Sequence, residues 1–247
     1  MTNLSPLNYW LIGFTEAEGY FVVGVRGDMS FVISQDYRNI FILYYIQDTL
    51  GFGRIIKQSS KVFSYVVQDQ VGLSRIISLF NGHLVLSKKK LALESFINAY
   101  NLRYNFNIVF NERFNLPTLN DAWISGFTDG DGCFNISFIE LKDRFYIRFI
   151  LSQKEDITFL KEIFGLGSIE VNSTNQCYSF VIKDLCTSKS YNNKIVIDYF
   201  SKFPLKTYKL NSYLLWKYIM GQLYNTKATP EKIAGLKSLC KLINNAD

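Results

Sequence analysis

Nine residues occur twice in this chain of 247, as Leu11-Ile-Gly-Phe-Thr-Glu-Ala-Glu-Gly19 and as Ile124-Ser-Gly-Phe-Thr-Asp-Gly-Asp-Gly132. Each copy combines apolar residues at helical spacing, small residues four apart (Gly13/Ala17 and Gly126/Gly130) and a closing acid, Glu18 or Asp131, before a glycine. Small residues at that spacing strip one stripe of a helix of side-chain bulk, so two backbones can approach closely; the steric reason does not depend on the solvent. Two such helices packed together set Glu18 and Asp131 side by side, and the repeat therefore predicts a paired site.

A carboxylate in the last turn of a helix is locally unfavourable, because unpaired carbonyls already place partial negative charge there. A bound cation relieves it. Gly19 and Gly132 are expected as left-handed residues ending the two helices, after which Tyr20-Phe-Val-Val and Cys133-Phe-Asn-Ile-Ser read as strands. Alone, one nonapeptide reads equally as an amphipathic helix with an exposed acid; two copies in matching contexts favour a site. Glu16 and Asp129 are rotated by about 200° from the closing acids on an ideal helix and read as polar interface or surface groups.

The repetition continues along both halves. Gly24-Val-Arg-Gly-Asp-Met and Ile139-Glu-Leu-Lys-Asp-Arg read as hairpin turns leading into Phe31-Val-Ile-Ser-Gln35 and Phe149-Ile-Leu-Ser-Gln153. Helical segments come next, around Ile40 to Leu50 and Ile157 to Phe164, then the turns Gly51-Phe-Gly and Gly165-Leu-Gly. Third strands run from Arg54 to Gln58 and from Ser168 to Asn172. The fourth, Phe63-Ser-Tyr-Val-Val-Gln-Asp69 and Tyr178-Ser-Phe-Val-Ile-Lys-Asp184, alternate with period two and are rich in β-branched and aromatic residues. Leu86-Ser-Lys-Lys-Lys90-Leu and Leu205-Lys-Thr-Tyr-Lys209-Leu then open long amphipathic helices. Ser5 with Pro6, and Asn120 with Asp121, are N-terminal helix signals.

The pattern gives an α+β fold of two tandem αββαββα repeats, each a four-stranded antiparallel sheet backed by helices. The repeats span 1–101 and 119–247, with 102–118 as linker and an extra helix over 229–244. One face of each antiparallel sheet is free. Phe21, Val23, Val25, Phe134, Ile136 and Phe138 are expected to face the core. Tyr20, Arg26, Asn135 and Ser137 then point outward, with Arg54, Gln58, Ser168, Glu170 and Asn172 on the third strands and Gln68 and Lys183 near the ends of the fourth. Such side chains hydrogen-bond base edges and phosphates, and a curved β-ribbon fits the major groove; an ordinary solvated sheet face is the plainer alternative.

Charge agrees with a polyanionic partner, 27 basic against 21 acidic residues and a net of +6. No apolar run reaches the roughly 18 residues of a membrane helix, and Met1 to Trp10 carries neither a secretion signal nor the basic residues of a transit peptide, so the expectation is a soluble, non-secreted protein that does not engage membranes. Heavy use of Asn, Ile, Phe, Tyr and Lys is what an AT-rich coding sequence gives, which points to synthesis in a mitochondrion or other organelle. Cys133, Cys177, Cys186 and Cys240 have no metal-ligand spacing and read as free buried thiols. His83, the one histidine, argues against His-metal nucleases and His-based triads and reads as a loop or core residue.

The paired nonapeptides, strand order, Ser-Gln strand ends and basic helix openings resemble the LAGLIDADG homing endonucleases, specifically the single-chain, two-repeat, pseudo-symmetric type. The resemblance covers essentially the whole chain. It implies a monomer whose motif helices form the central interface and whose sheets make a saddle over a long, asymmetric double-stranded DNA site, cut on both strands across the minor groove to leave short 3′ overhangs. It implies Mg2+ as cofactor, with Mn2+ able to substitute and Ca2+ binding without supporting cleavage. The metal ligands fall on Glu18 and Asp131 with the carbonyls of Ala17 and Gly130, and the other catalytic positions on Gln35, Gln153, Lys90 and Lys209, with Lys88, Lys89 and Lys206 as close alternatives.

The residues support this chemistry independently. Phosphodiester hydrolysis without histidine or a covalent nucleophile suits hard cations held on carboxylates, with a lysine to stabilise the phosphate in the transition state. Glu18 and Asp131 differ by one methylene in reach, so the two strands are expected to be cut at unequal rates. The alternatives are an intron RNA maturase on the same fold, with host intron RNA as partner, or a catalytically silent DNA-binding protein; the latter predicts decay of the acids, and both are present.

Overall fold

A computed structural model describes residues 4–113, 115–139, 144–172, 174, 176–185, 191–225 and 229–243. Packing divides the chain into two compact units, Met1–Gly130 and Asp131–Asp247. In chain order the elements are α1 (Pro6–Glu18), β1 (Gly19–Val23), β2 (Met29–Asp36), α2 (Ile40–Leu50), β3 (Arg54–Lys57), β4 (Val62–Val67), α3 (Gln70–Phe80), α4 (Ser87–Tyr104) and α5 (Trp123–Asp131). Then come β5 (Gly132–Ile139), β6 (Arg144–Gln153), α6 (Phe159–Phe164), β7 (Ser168–Asn172), β8 (Cys177–Leu185), α7 (Lys194–Lys202), α8 (Lys209–Asn225) and α9 (Pro230–Cys240).

Both sheets are antiparallel and share one topology, β1-β2-β4-β3 and β5-β6-β8-β7. Matching text produces matching register: Ser34 faces Ser64 and Ser152 faces Ser179, and in each pair the hydroxyl oxygens are 2.8 Å apart. The glycine turns also coincide, with positive φ at Gly51, Gly53, Gly165 and Gly167. At Gly53 and Gly167 an added Cβ would lie 2.5 Å and 2.7 Å from the rings of Tyr65 and Phe180, so these positions need both the left-handed backbone and the empty space.

Each sheet buries its inner face under helices. In the first unit Phe21 packs edge-on against Phe80 of α3 and Phe96 of α4; in the second, Phe134 sits against Phe200 of α7 and Tyr213 and Trp216 of α8. Alternation is complete on β2, where every second residue from Met29 is buried, and β6 keeps it from Phe145 to Leu151.

Several expectations are corrected. Val23 is 40% exposed and Val25 fully so, because β1 ends at Val23 and Gly24 to Asp28 form the hairpin turn, closed by Gly24 N–H donating to Asp28 O; Arg26 is in that turn rather than on the strand. Gln58 lies one residue beyond β3. Asp69 is not a strand residue: its carboxylate caps α3 by accepting from Gly72 N–H at 2.8 Å. Its counterpart Asp184 stays on β8 and accepts from the backbone amides of Asn192 and Asn193 at 2.9 and 2.8 Å, so in both units the shared acid anchors the chain beyond the fourth strand. The last helix, α9, ends at Cys240 and leads into a turn.

Residues 102–117 are not a loose connection in their described part. α4 runs to Tyr104 and stops at Asn105, whose φ of 55° is left-handed. Asn101 then exchanges hydrogen bonds with the backbone of Ile108 in both directions, and Asn81 does the same with Val109 O and Asn111 N–H. His83 lies half-buried in the turn after α3. Cys133, Cys177 and Cys240 are free and half-buried rather than fully buried; Cys186, residue 244 and the tip of the turn from Glu140 to Asp143 lie outside the described residues. No described helix is long and apolar enough to cross a membrane.

Candidate active site

Pro6 opens α1 behind Ser5, whose hydroxyl accepts from Asn8 N–H at 3.1 Å; at α5, Asp121 accepts from Trp123 N–H at 3.0 Å. Both motif helices thus begin on the N-terminal signals present in the sequence, and they end on the two acids. The chain leaves each helix directly into a strand: Glu18 is the last residue of α1 and Gly19 the first of β1, Asp131 the last of α5 and Gly132 the first of β5.

The glycines at these corners are not left-handed. Gly19 is extended, at φ −92° and ψ 155°, and Gly132 is absent from the residues with positive φ. Gly19 is required for room instead, since a Cβ there would lie 2.4 Å from Thr15 Cγ2. The first unit also includes α5 as far as Gly130, and close approach dictates the small residues. A Cβ at Gly13 would be 2.0 Å from Trp123 O, at Gly126 1.8 Å from Trp10 O, and at Gly130 2.2 Å from the Ala17 Cβ.

Of the two alternatives for Glu16 and Asp129, interface or surface, burial excludes the surface. Asp129 accepts from the indole N–H of Trp10 at 2.8 Å. Glu16 accepts from the backbone amides of Val85 and Leu86, at the start of α4, where Leu86 supplies no side-chain cap. A carboxylate is favourable at this positive end of a helix, whereas the Lys88-Lys89-Lys90 run that opens α4 is not. Lys89 turns back from it: its ammonium donates to Gly19 O and lies 5.0 Å from the centre of the Tyr20 ring. The sequence placed Lys89 only among alternatives to Lys90; folding brings it to the residue after Glu18. Lys90 and Lys209 are half-buried in the first turns of α4 and α8.

Glu18 and Asp131 are each half-buried. Gln153 donates its side-chain amide to Asp131 Oδ2 at 2.9 Å. Gln35, at the corresponding place, is buried and accepts from the Asn39 side chain at 3.0 Å. Among the described residues no cluster of three or more His, Cys, Asp or Glu forms; what each corner offers is one partly exposed carboxylate beside backbone carbonyls, an all-oxygen set suited to a hard divalent cation.

On the outer sheet faces Tyr20, Arg54, Glu170, Asn172 and Lys183 are exposed, as are Gln58 and Gln68 just beyond the ends of β3 and β4, while Asn135 and Ser137 are half-buried. Ser168 is the exception, its hydroxyl buried without a hydrogen-bond partner among the described residues. Arg54 donates to Gln68, Lys183 lies 3.8 Å from Glu170, and Arg148, which sequence reasoning missed, donates to Asn135. Its alternation with the buried residues of β6 is the signal that could have found it.

Two pseudo-equivalent sheets, each entered from a helix that ends in an acid, define a two-repeat α+β nuclease fold. The profile of the LAGLIDADG endonuclease family matches residues 11–100 and 124–220, and the chain belongs to that family. It is 33% identical over its whole length to the probable intron-encoded endonuclease 4 of Neurospora crassa, of which it spans 46%, and 29% identical over 69% of its length to the intron-encoded RNA maturase bI4 of Saccharomyces cerevisiae, of which it spans 26%. The chain thus covers less than half of these curated relatives. Its fold is similar to the LAGLIDADG meganuclease I-AabMI bound to uncleaved DNA (TM-score 0.79, 21% identity, 98% of this chain and 100% of that one) and to I-SmaMI bound to uncleaved DNA in the presence of calcium ions (TM-score 0.73, 21% identity, 98% and 99%).

Proposed function

We propose that this protein is a site-specific DNA endonuclease that hydrolyses both strands of a long, asymmetric target. The observation that carries the reading is the acid at each helix-to-strand corner, Glu18 and Asp131, in a chain of the LAGLIDADG endonuclease family. A monomer acting on duplex DNA is consistent with I-AabMI and I-SmaMI, both bound to DNA. Intron-encoded relatives support an organellar gene of origin.

Glu18 and Asp131, with the carbonyls of Ala17 and Gly130, are the oxygens that would hold divalent metal, Mg2+ by preference; calcium accompanies uncleaved DNA in the I-SmaMI structure. When bound, such an ion acidifies water and neutralises charge on the attacking and leaving oxygens. In the reaction a water oxygen attacks phosphorus and the P–O3′ bond breaks, giving a 3′-hydroxyl and a 5′-phosphate. The Gln153 amide orients the Asp131 carboxylate. Lys89 or Lys90 in one repeat and Lys209 in the other supply positive charge to the phosphate; Gln35, buried and accepting from Asn39, is the weakest of the candidate catalytic positions. Tyr20, Arg26, Arg54, Gln58, Gln68, Asn135, Ser137, Glu170, Asn172 and Lys183 are the candidate DNA contacts; Ser168, with its buried hydroxyl, is the weakest candidate on the sheet faces.

The test is a cleavage selection from a randomised duplex library with Mg2+, run beside the Glu18→Gln/Asp131→Asn double variant. One long asymmetric site cut only by the unmodified protein supports the reading, and enrichment by binding without cutting would replace it with a DNA-binding regulator. Neither outcome, with retention of structured intron RNA instead, would favour the maturase reading that the resemblance to bI4 raises.

A further inference from the structure

In the second sheet one transverse row of outward side chains is set apart by its chemistry. Asn135 on β5 faces Arg148 on β6, and Arg148 faces Lys183 on β8. The neighbouring row on one side is Cys133, Ile150, Val181 and Ser168, and on the other Ser137, Tyr146 and Leu185. The Arg148 guanidinium is held: Nε and Nη2 both donate to Asn135 Oδ1, at 3.3 and 2.8 Å. Those two nitrogens form one lateral edge of the planar group. The end-on edge, one N–H from each terminal nitrogen, takes no part in these two bonds.

An arginine fixed in this way differs from a mobile surface cation. Much of its rotamer freedom is already lost in the unbound protein, so less is lost on binding, and its open edge is a rigid fork of two parallel donors. That fork matches the two adjacent acceptors, O6 and N7, that guanine presents in the major groove, the commonest specific side-chain contact to a base. A phosphate also accepts a fork, but Lys183 beside it is the residue suited to a point-charge contact. Nothing comparable stands on the first sheet: the corresponding positions are Val22, which faces Ser30, and Gln68, just beyond β4, so a serine stands where the second sheet has Arg148, and Gln68 accepts from Arg54.

We infer that Arg148 reads one guanine in the half-site bound by the second unit, with Asn135 as the positioning residue that aims it. This inference rests on the endonuclease reading above and goes further by naming the base and the residue that selects it. The half-site of the first unit has no such contact on this row, where Ser30 takes the place of Arg148.

Base preference at every position is measured by binding selection from a randomised duplex library in Ca2+, for the unmodified protein and for Arg148→Ala, Arg148→Lys and Asn135→Ala, each first checked for an unchanged melting temperature. Arg148→Ala should lose roughly ten- to a hundredfold preference for guanine at one position and leave the others intact. Arg148→Lys should restore part of it, and Asn135→Ala should weaken the preference at that same position. If the unmodified protein selects a site and Arg148→Ala keeps every preference, or weakens binding equally at all positions, the assignment of Arg148 is wrong while the DNA reading stands. If the unmodified protein selects no DNA site, both fall. A variant that fails the melting check is replaced by Arg148→Gln, judged by the same outcomes.

Discussion

Gln153 donates its side-chain amide to Asp131 Oδ2 at 2.9 Å, while Gln35, its counterpart by position, uses its side-chain oxygen to accept from Asn39 at 3.0 Å. The two repeats therefore engage the same residue in different hydrogen bonds. A single turn of 3-10 helix, Tyr37–Asn39, succeeds β2 and brings Asn39 within reach of Gln35; after β6 the equivalent stretch is a bend and β6 ends on Gln153 itself. Polar groups that orient a ligating carboxylate commonly control activity by about 10- to 100-fold.

Gln153→Ala should accordingly slow cleavage of one DNA strand by roughly 10- to 100-fold, whereas Gln35→Ala should act mainly on stability, because it removes a buried hydrogen bond to Asn39. Strand-specific nicking rates, read beside melting temperature, check both. Equal kinetic effects would mean that the two glutamines play one role.

Glu18→Gln and Asp131→Asn each keep shape and remove charge. Either should abolish double-strand cleavage and leave specific DNA binding within a few-fold, measured as cleavage and as gel-shift affinity on the selected site. Loss of binding and of the folding transition together would make the acids structural.

Gly126→Ala and Gly13→Ala place a methyl group 1.8 and 2.0 Å from carbonyl oxygens of the facing helix. Backbone cannot yield as a flexible side chain does, so each should cost about 3 kcal/mol or more, at or beyond the usual range for overpacking. Gly221→Ala, within α8 and with nothing within 4 Å, should instead stabilise by about 0.5–1 kcal/mol through helix propensity. Urea unfolding midpoints of the three variants provide the comparison.

Burial pushes the Cys240 thiol up to about 11, since desolvation disfavours the thiolate. At pH 8.5 only a small fraction is ionised, and Cys240 should alkylate far more slowly than a free thiol, its rate rising about tenfold per pH unit up to that value. Mass-spectrometric counting after timed iodoacetamide treatment reads this directly.

The sequence alone determined what depends on near neighbours. Period-two runs became strands, helical spacing between a capping residue and an acid became α1 and α5, and duplicated text folded into duplicated register down to the Ser34–Ser64 and Ser152–Ser179 pairs. Glu18 and Asp131 were legible because a repeated acid at a helix end is a local, recurring signal.

Tertiary structure decided what depends on partners far along the chain. Rotation on the helix separates Glu16 and Asp129 from the closing acids, but what they meet, Val85, Leu86 and Trp10, is linked to them by no local pattern. Val25 failed as a core residue because the strand ended two positions earlier. Lys89 reached Gly19, and Arg148 was fixed by Asn135, because strand pairing and helix docking bring together residues that are distant in sequence. Periodicity specifies which way a side chain faces; only the packed chain specifies what it meets there.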